Sequence, residues 1–129
     1  MKEKGLESLD LWKHAIRFAA RVHKEVVPRL PPSERWEMGR QLRRSAQSIP
    51  ANIAEAFGRF YYQDGVRFCY IARGSLEETR SHLYLSQELG YIDPEMYAEF
   101  SQEIDALRRM LSGYIAFLRQ SRRKKEEGV

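Results

Sequence analysis

Along most of this chain, apolar and polar side chains alternate with the period of an α-helix rather than that of a strand. Leu9, Trp12, Ile16, Ala19, Val22 and Val26 recur every three or four residues with Lys13, Arg17, Arg21 and Lys24 between them, which predicts a first helix over about residues 9–27. Pro28 closes it, and Asp10 or Ser8 is placed to cap its start. PRLPPS, residues 28–33, reads as a stiff connector because its prolines fix the backbone and remove donors. It ends on Ser33, a good N-cap, with Glu34 and Glu37 in the turn that follows.

The second helix is predicted over about residues 34–60, with Leu42, Ala46, Ile49, Ile53, Ala54 and Phe57 on one side and Arg40, Arg43 and Arg44 turned away from it. Pro50 sits in its middle, where a missing donor and a ring clash cost about 3 kcal/mol in an exposed helix. It survives where packing holds a kink. Ile49 is steered away from the helical region by the proline, so a continuous kinked helix is favoured over two short helices with Ser48 capping the second.

Gly58 is the expected stop and Asp64 the expected cap of a third helix over about residues 65–89. Phe68, Ala72, Ser75, Thr79, Leu83, Ser86 and Leu89 form its stripe, flanked by Ile71 and Leu76. Gly74 costs up to about 1 kcal/mol relative to alanine there, which predicts that another backbone approaches it. Gly90 then ends the helix as a left-handed residue, and Asp93 with Pro94 starts the next. The fourth helix, about residues 94–122, carries the clearest heptad: Tyr97, Phe100, Ile104, Leu107, Leu111, Tyr114 or Ile115, and Leu118. Its acids precede its bases, as the helix dipole favours, and residues 124–129 are expected to form a frayed charged tail. Short turns between four amphipathic helices predict an all-α, antiparallel up-and-down four-helix bundle over residues 1–123.

Composition agrees with one helix-rich domain. The 129 residues are 43% hydrophobic and 31% charged, and no apolar run approaches the roughly 18 residues of a membrane span. The start, MKEKGLESLDLW, lacks the apolar segment of a secretory signal, so a cytoplasmic location is expected. Cys69 has no cysteine partner for a disulfide or zinc site and reads as a small buried thiol.

The net charge of +4 is unevenly placed. The last eleven residues contribute +3, Arg40 to Arg73 carries six arginines against Glu55 and Asp64, and Ser81 to Leu107 holds six acids with no lysine or arginine. Such asymmetry marks either a polyanion-binding face or two complementary faces by which copies of one chain dock.

Candidate catalytic chemistry is sparse. Glu78 and His82 lie one helical turn apart, but a di-iron bundle needs further inward carboxylates and Glu-x-x-His pairs. No phosphate-cradling glycine loop, nucleophile-base spacing or Cys/His cluster occurs, and Glu55, Glu77 and Glu78 read as partners of nearby arginines. No enzymatic activity, metal or cofactor is expected. What remains is a surface of Arg40, Arg43, Arg44, Arg59, Arg67, Arg73 and Arg80 with Asn52, Gln41, Gln47, Tyr61 and Tyr62. Guanidinium forks match phosphate oxygens and the rings offer stacking faces for unpaired bases, which points to nucleic acid.

LWKHAIRFAARV, QLRRSAQSIPANIAEAFGRF and RFCYIARGSLEETRSHLYLSQELGYID resemble the small four-helix-bundle proteins encoded by intervening sequences in bacterial 23S ribosomal RNA genes. The pattern matches at Arg43, Arg44, Ser48, Pro50, Asn52, Glu55, Gly58, Arg59, Arg73, Gly74, Ser75 and Glu77, and departs at Ala56, where the family pattern has glycine. The resemblance implies a ring-shaped homopentamer with no assigned catalytic residue and a suspected role in binding RNA. It is similar too to bundles that serve diversity-generating retroelements, which implies a reverse transcriptase as a possible further partner. Joined to the charge map, it predicts a ring in which unlike faces meet and the remaining arginines sum into a multivalent phosphate-binding surface.

Overall fold

Short connectors decide the architecture. In the computed structural model, which describes residues 5–127 and side chains as far as Ser121, the main helices are α1 (Asp10–Arg21), α2 (Met38–Gly58), α3 (Tyr62–Glu88) and α4 (Pro94–Glu127). Three residues join α2 to α3 and five join α3 to α4, too few for anything but a reversal of direction. Side-chain pairings establish the antiparallel sense. Met38 meets Ser86, Ser45 meets Thr79 and Ser48 meets Ser75 between α2 and α3, while Tyr84 meets Tyr97 and Tyr70 meets Arg119 between α3 and α4. Arg21 of α1 reaches Glu99 and Glu103 of α4, which closes the fourth side. No strand occurs among the described residues.

The core is one continuous cluster in which each helix contributes a stripe: Phe18 and Val22 from α1, Leu42, Ile49 and Ile53 from α2, Leu76 and Leu83 from α3, Phe100, Ile104 and Leu111 from α4. Phe18 and Phe100 meet edge to face with centroids 6.0 Å apart, the arrangement that sets a ring's positive edge on its neighbour's negative face. No described helix is long and apolar enough to cross a membrane.

Two helix ends form as the sequence predicts. Gly90 has φ +78°, and the Gly90 and Tyr91 amides donate to the Gln87 and Ser86 carbonyls, both at 2.9 Å, closing α3 with paired orphan acceptors. Asp93 Oδ1 accepts from the Met96 amide at 2.8 Å, and Pro94 occupies the first helical position of α4. Pro50 lies buried inside an unbroken α2, so the two-helix alternative does not occur.

Other local expectations change. Neither Ser8 nor Asp10 caps α1; Leu9 holds that position without a side-chain bond, and the Ser8 hydroxyl donates back to the Gly5 carbonyl at 2.6 Å. The first helix gives way to a π-helical turn over Val22–Val26 and a 3-10 turn over Val27–Arg29. Its buried line is Leu11, Ala15, Phe18, Val22 and Val26, whereas Ile16 is exposed and Trp12 half-exposed. Two apolar stripes compete on this helix, and packing against α2 and α4 selects the one that carries Phe18. Ser33 does not start α2, because Pro32–Glu34 form a separate 3-10 turn and the α-helix begins at Met38. Likewise α3 starts at Tyr62, which puts Asp64 inside its first turn rather than at its cap. The backbone of α4 is helical through Glu127, beyond the expected boundary near residue 122. Gly74 has no atom of a neighbouring element within 4 Å of the place a Cβ would take, so no other backbone among the described residues approaches it; the close approach occurs at Gly65, where a Cβ would lie 3.1 Å from the Ala56 carbonyl oxygen.

Candidate nucleic-acid interface

Hydroxyl groups set the register of α2 against α3, and through it the placement of the arginines. Thr79 Oγ1 lies 2.9 Å from Ser45 Oγ and 2.8 Å from the Ser75 carbonyl, and Ser75 Oγ meets Ser48 Oγ at 2.8 Å. Asn52 Nδ2 donates to the Ser48 carbonyl at 2.8 Å and to Ser48 Oγ at 2.9 Å. Side chains this small let the helices approach, and the buried hydroxyls keep partners in doing so. The half-buried Asn52 amide is thereby held within the seam rather than presented to solvent.

The predicted arginines fall into separate groups. Arg40 and Arg59 stand 19 residues apart along α2 and its C-cap, roughly 28 Å at a rise of about 1.5 Å per residue. At the connector end, Arg40 is exposed and no carboxylate among the described residues pairs with it. Arg43 donates to the Arg35 carbonyl at 3.3 Å and lies over the Trp36 ring at 5.5 Å. Arg44 is tied to Gln41 Oε1 and ion-paired with Glu78.

At the opposite end, Arg59 and Arg67 lie 4.5 Å and 5.4 Å from the centroid of Phe68, and Arg59 also bonds Glu55 at 2.8 Å. Arg73 lies over Tyr70 at 4.9 Å. Arg67 and Arg73 are exposed, with no carboxylate partner among the described residues. Arg80 belongs to neither group. It bridges α3 to α4 by bonding Glu77 at 3.1 Å, Asp105 at 2.7 Å and Ser101 Oγ at 2.5 Å, and its guanidinium holds the Asp105 carboxyl below the usual range.

Sequence reasoning missed Arg119, which donates to the Tyr70 hydroxyl and lies 5.4 Å from its ring. Leu118 packs at Gly65 in the antiparallel pair, so Arg119 stands near the start of α3, and its long side chain, tilted toward the N-terminus of α4, reaches back to Tyr70. Phe60 was missed as well; 75% of its surface is accessible, and Tyr61 beside it is 66% accessible. Their centroids are 5.0 Å apart with planes at 83°.

Other titratable groups are held by structure. Burial, then the charge of Arg44, lowers the His82 pKa, and burial, then Arg43, lowers that of His23. Burial raises the Cys69 thiol to about 11, leaving it neutral and unreactive as a nucleophile. Glu78 and His82 do meet, at 3.2 Å, but Arg44 shares that carboxylate, and no group of three His, Cys, Asp or Glu converges among the described residues. Arg21 is gripped by Glu25, Glu99 and Glu103 and lies 4.6 Å from the Phe100 ring centroid, so it serves the α1–α4 seam.

Fold and surface together define an all-α bundle whose outward chemistry is guanidinium and aromatic. Residues 7–113 match the family model described as 23S rRNA-intervening sequence protein, and the chain belongs to that family. It is similar, at 27% identity and a TM-score of 0.72, to the crystal structure of a protein of unknown function from the S23 ribosomal protein family of Bacteroides thetaiotaomicron. That likeness covers 81% of this chain and 97% of the other. No curated protein matches the chain.

Proposed function

We propose that this protein is a non-enzymatic, homo-oligomeric nucleic-acid-binding bundle that contacts phosphates through its arginines and takes RNA in preference to DNA. The observation that carries the reading is the set Arg40, Arg43, Arg67 and Arg73, exposed or half-exposed cations without a carboxylate partner among the described residues. Phosphate contacts need cations that the protein itself has not neutralised. The family description, which ties its members to 23S rRNA intervening sequences, supports RNA. Self-association is supported by the outer face of α3, where Ile71 is exposed beside Gly74 and Leu85 is exposed on the same face about three turns further on. A ring of five copies would repeat each weak patch and sum it into useful affinity.

A protein-partner reading has its own support. An open groove of about 610 Å³ between α3 and α4 combines exposed Tyr84 and Leu85 with Glu88, beside a Glu77 already bonded to Arg80, a mainly apolar surface suited to a protein partner such as a reverse transcriptase. The two readings separate in one experiment: gel shifts with structured RNA, single-stranded RNA and DNA at two salt concentrations, with light scattering for mass. RNA binding that weakens steeply with salt and is lost in R67E/R73E supports the proposal. No shift with any nucleic acid leaves the protein-partner reading, and a monomer by scattering removes the ring.

A further inference from the structure

We propose that the end of the bundle formed by the α2–α3 turn is a stacking platform for unpaired nucleotides, so that the protein selects single-stranded over duplex RNA. This rests on the RNA-binding reading above and names the form of RNA it takes.

Exposure is the first ground. A three-residue turn needs no aromatic side chains, and its usual occupants are small or polar. Here Phe60 and Tyr61 occupy it with 75% and 66% of their surfaces accessible, adjoining Phe57, which is also exposed. Burying such rings would stabilise the fold, so their position in solvent calls for an external contact. Charge is the second ground and names the occupant. Arg59, which also bonds Glu55, caps α2 immediately before Phe60, and Arg67 lies one and a half turns into α3 with no carboxylate partner among the described residues; both guanidinium groups lie against the Phe68 ring. Arg119 faces the same end from α4, where its hydrogen-bond partner is the neutral Tyr70 hydroxyl and no carboxylate among the described residues pairs with it. Rings flanked by cations fit a polymer of flat bases on an anionic backbone, whereas an apolar protein partner would not need the cations.

Geometry separates single strands from duplexes. The Phe60 and Tyr61 rings are nearly perpendicular, at 83°. A rigid terminal base pair lies flat on one such plane and collides edge-on with the other, and bases inside a duplex are already stacked. A flexible single strand can turn between successive bases and present one to each ring.

The test uses fluorescence anisotropy with the full-length protein and three probes of equal length: single-stranded RNA, the same RNA as a duplex, and an abasic ribose-phosphate chain. The expected result is tightest binding to the single strand. F60A/Y61A is expected to weaken single-strand binding about tenfold per ring with little effect on the abasic chain, and F60Y/Y61F is expected to restore it. Both residues are exposed, and circular dichroism checks that the variants remain folded. Equal affinity for the abasic chain, or unchanged binding in F60A/Y61A, overturns the platform. If R67E/R73E still abolishes binding in that case, the phosphate-contact reading stands without it. No binding of any probe by the unmodified protein removes both. A fall in particle mass in F60A/Y61A with RNA affinity unchanged assigns the rings to contacts between copies, and also overturns the proposal.

Discussion

Gly65 and Gly74 lie nine residues apart on α3 in opposite surroundings, and alanine at each reads a different force. At Gly65 an added methyl would sit 3.1 Å from the Ala56 carbonyl oxygen and 3.3 Å from Leu118 Cδ1. A backbone oxygen cannot step aside, so Gly65→Ala is expected to destabilise the bundle by about 1–3 kcal/mol, the usual cost of overpacking. At Gly74 nothing lies within 4 Å, and alanine in an exposed helix interior gains up to about 1 kcal/mol of propensity. Urea midpoints should therefore move down for Gly65→Ala and up for Gly74→Ala. Equal shifts in one direction would contradict the difference in packing. Histidine gives a prediction in pH. The native state holds His82 below its ordinary value of 6.5, through burial and the charge of Arg44, against which Glu78 at 3.2 Å only partly acts. The unfolded chain therefore takes up the proton first, and stability falls as pH drops below about 6.5 towards the folded value. His23 adds to the same slope. The Glu25 and Asp105 carboxyls, both lowered by arginine, act only at more acid pH, near and below their ordinary values of 4.5 and 3.8. Urea melts at pH 7.5 and 5.5 should separate by less in H82Q than in the unmodified protein.

At the scale of elements, the α2–α3 pair is built on hydroxyls where a bundle core ordinarily carries leucine. Thr79 is fully buried, and its Oγ1 meets both Ser45 Oγ and the Ser75 carbonyl. Thr79→Val keeps the shape and removes the hydroxyl, leaving Ser45 Oγ with only its 3.4 Å contact to the Leu42 carbonyl. The expected loss is about 1–3 kcal/mol, restored in Thr79→Ser and measured by the same melts. The existence of four helices was legible because each keeps a 3.6-residue apolar period over several turns, and the breaks at Gly90 and Asp93–Pro94 use strong local signals. Less legible were features settled between elements. Leu9–Trp12–Ile16 and Leu11–Ala15–Phe18 are both plausible stripes on α1, and only its neighbours choose. Gly74 and Gly65 look alike in sequence, since the identity of the approaching chain belongs to the packing. The connector misled for a different reason: Ser33 is a good cap, but the prolines before it favour a short 3-10 turn, which delays α2 to Met38.

Across the whole molecule, the candidate site shows the limits of one-dimensional charge counting. A span from Arg40 to Arg73 that is strongly basic in sequence folds into a hairpin, which leaves Arg40 at the connector end, carries Arg59 to the opposite pole at the α2–α3 turn and returns Arg73 to the middle of the bundle, near the level of the Ser48–Ser75 contact. Carboxylates distant in sequence then engage arginines of the predicted surface: Glu78 takes Arg44 of this span, and Asp105 takes Arg80 beyond it. The antiparallel packing of α4 on α3 gathers what the sequence separates, bringing Arg119 beside Tyr70. This redistribution predicts which arginines a polyanion can feel. Each phosphate contact with a single strand contributes about 0.7 to the slope of log affinity against log salt. Arg67→Gln and Arg73→Gln should each lower the slope for single-stranded RNA by about that amount, measured between 50 and 200 mM salt. Arg80→Gln should leave the slope unchanged, because its guanidinium already lies between Glu77 and Asp105, and should instead lower the melting temperature by loosening α3 from α4. A slope that fell equally for all three variants would mean that the long-range field of the bundle, rather than the local pairing of each arginine, governs the encounter.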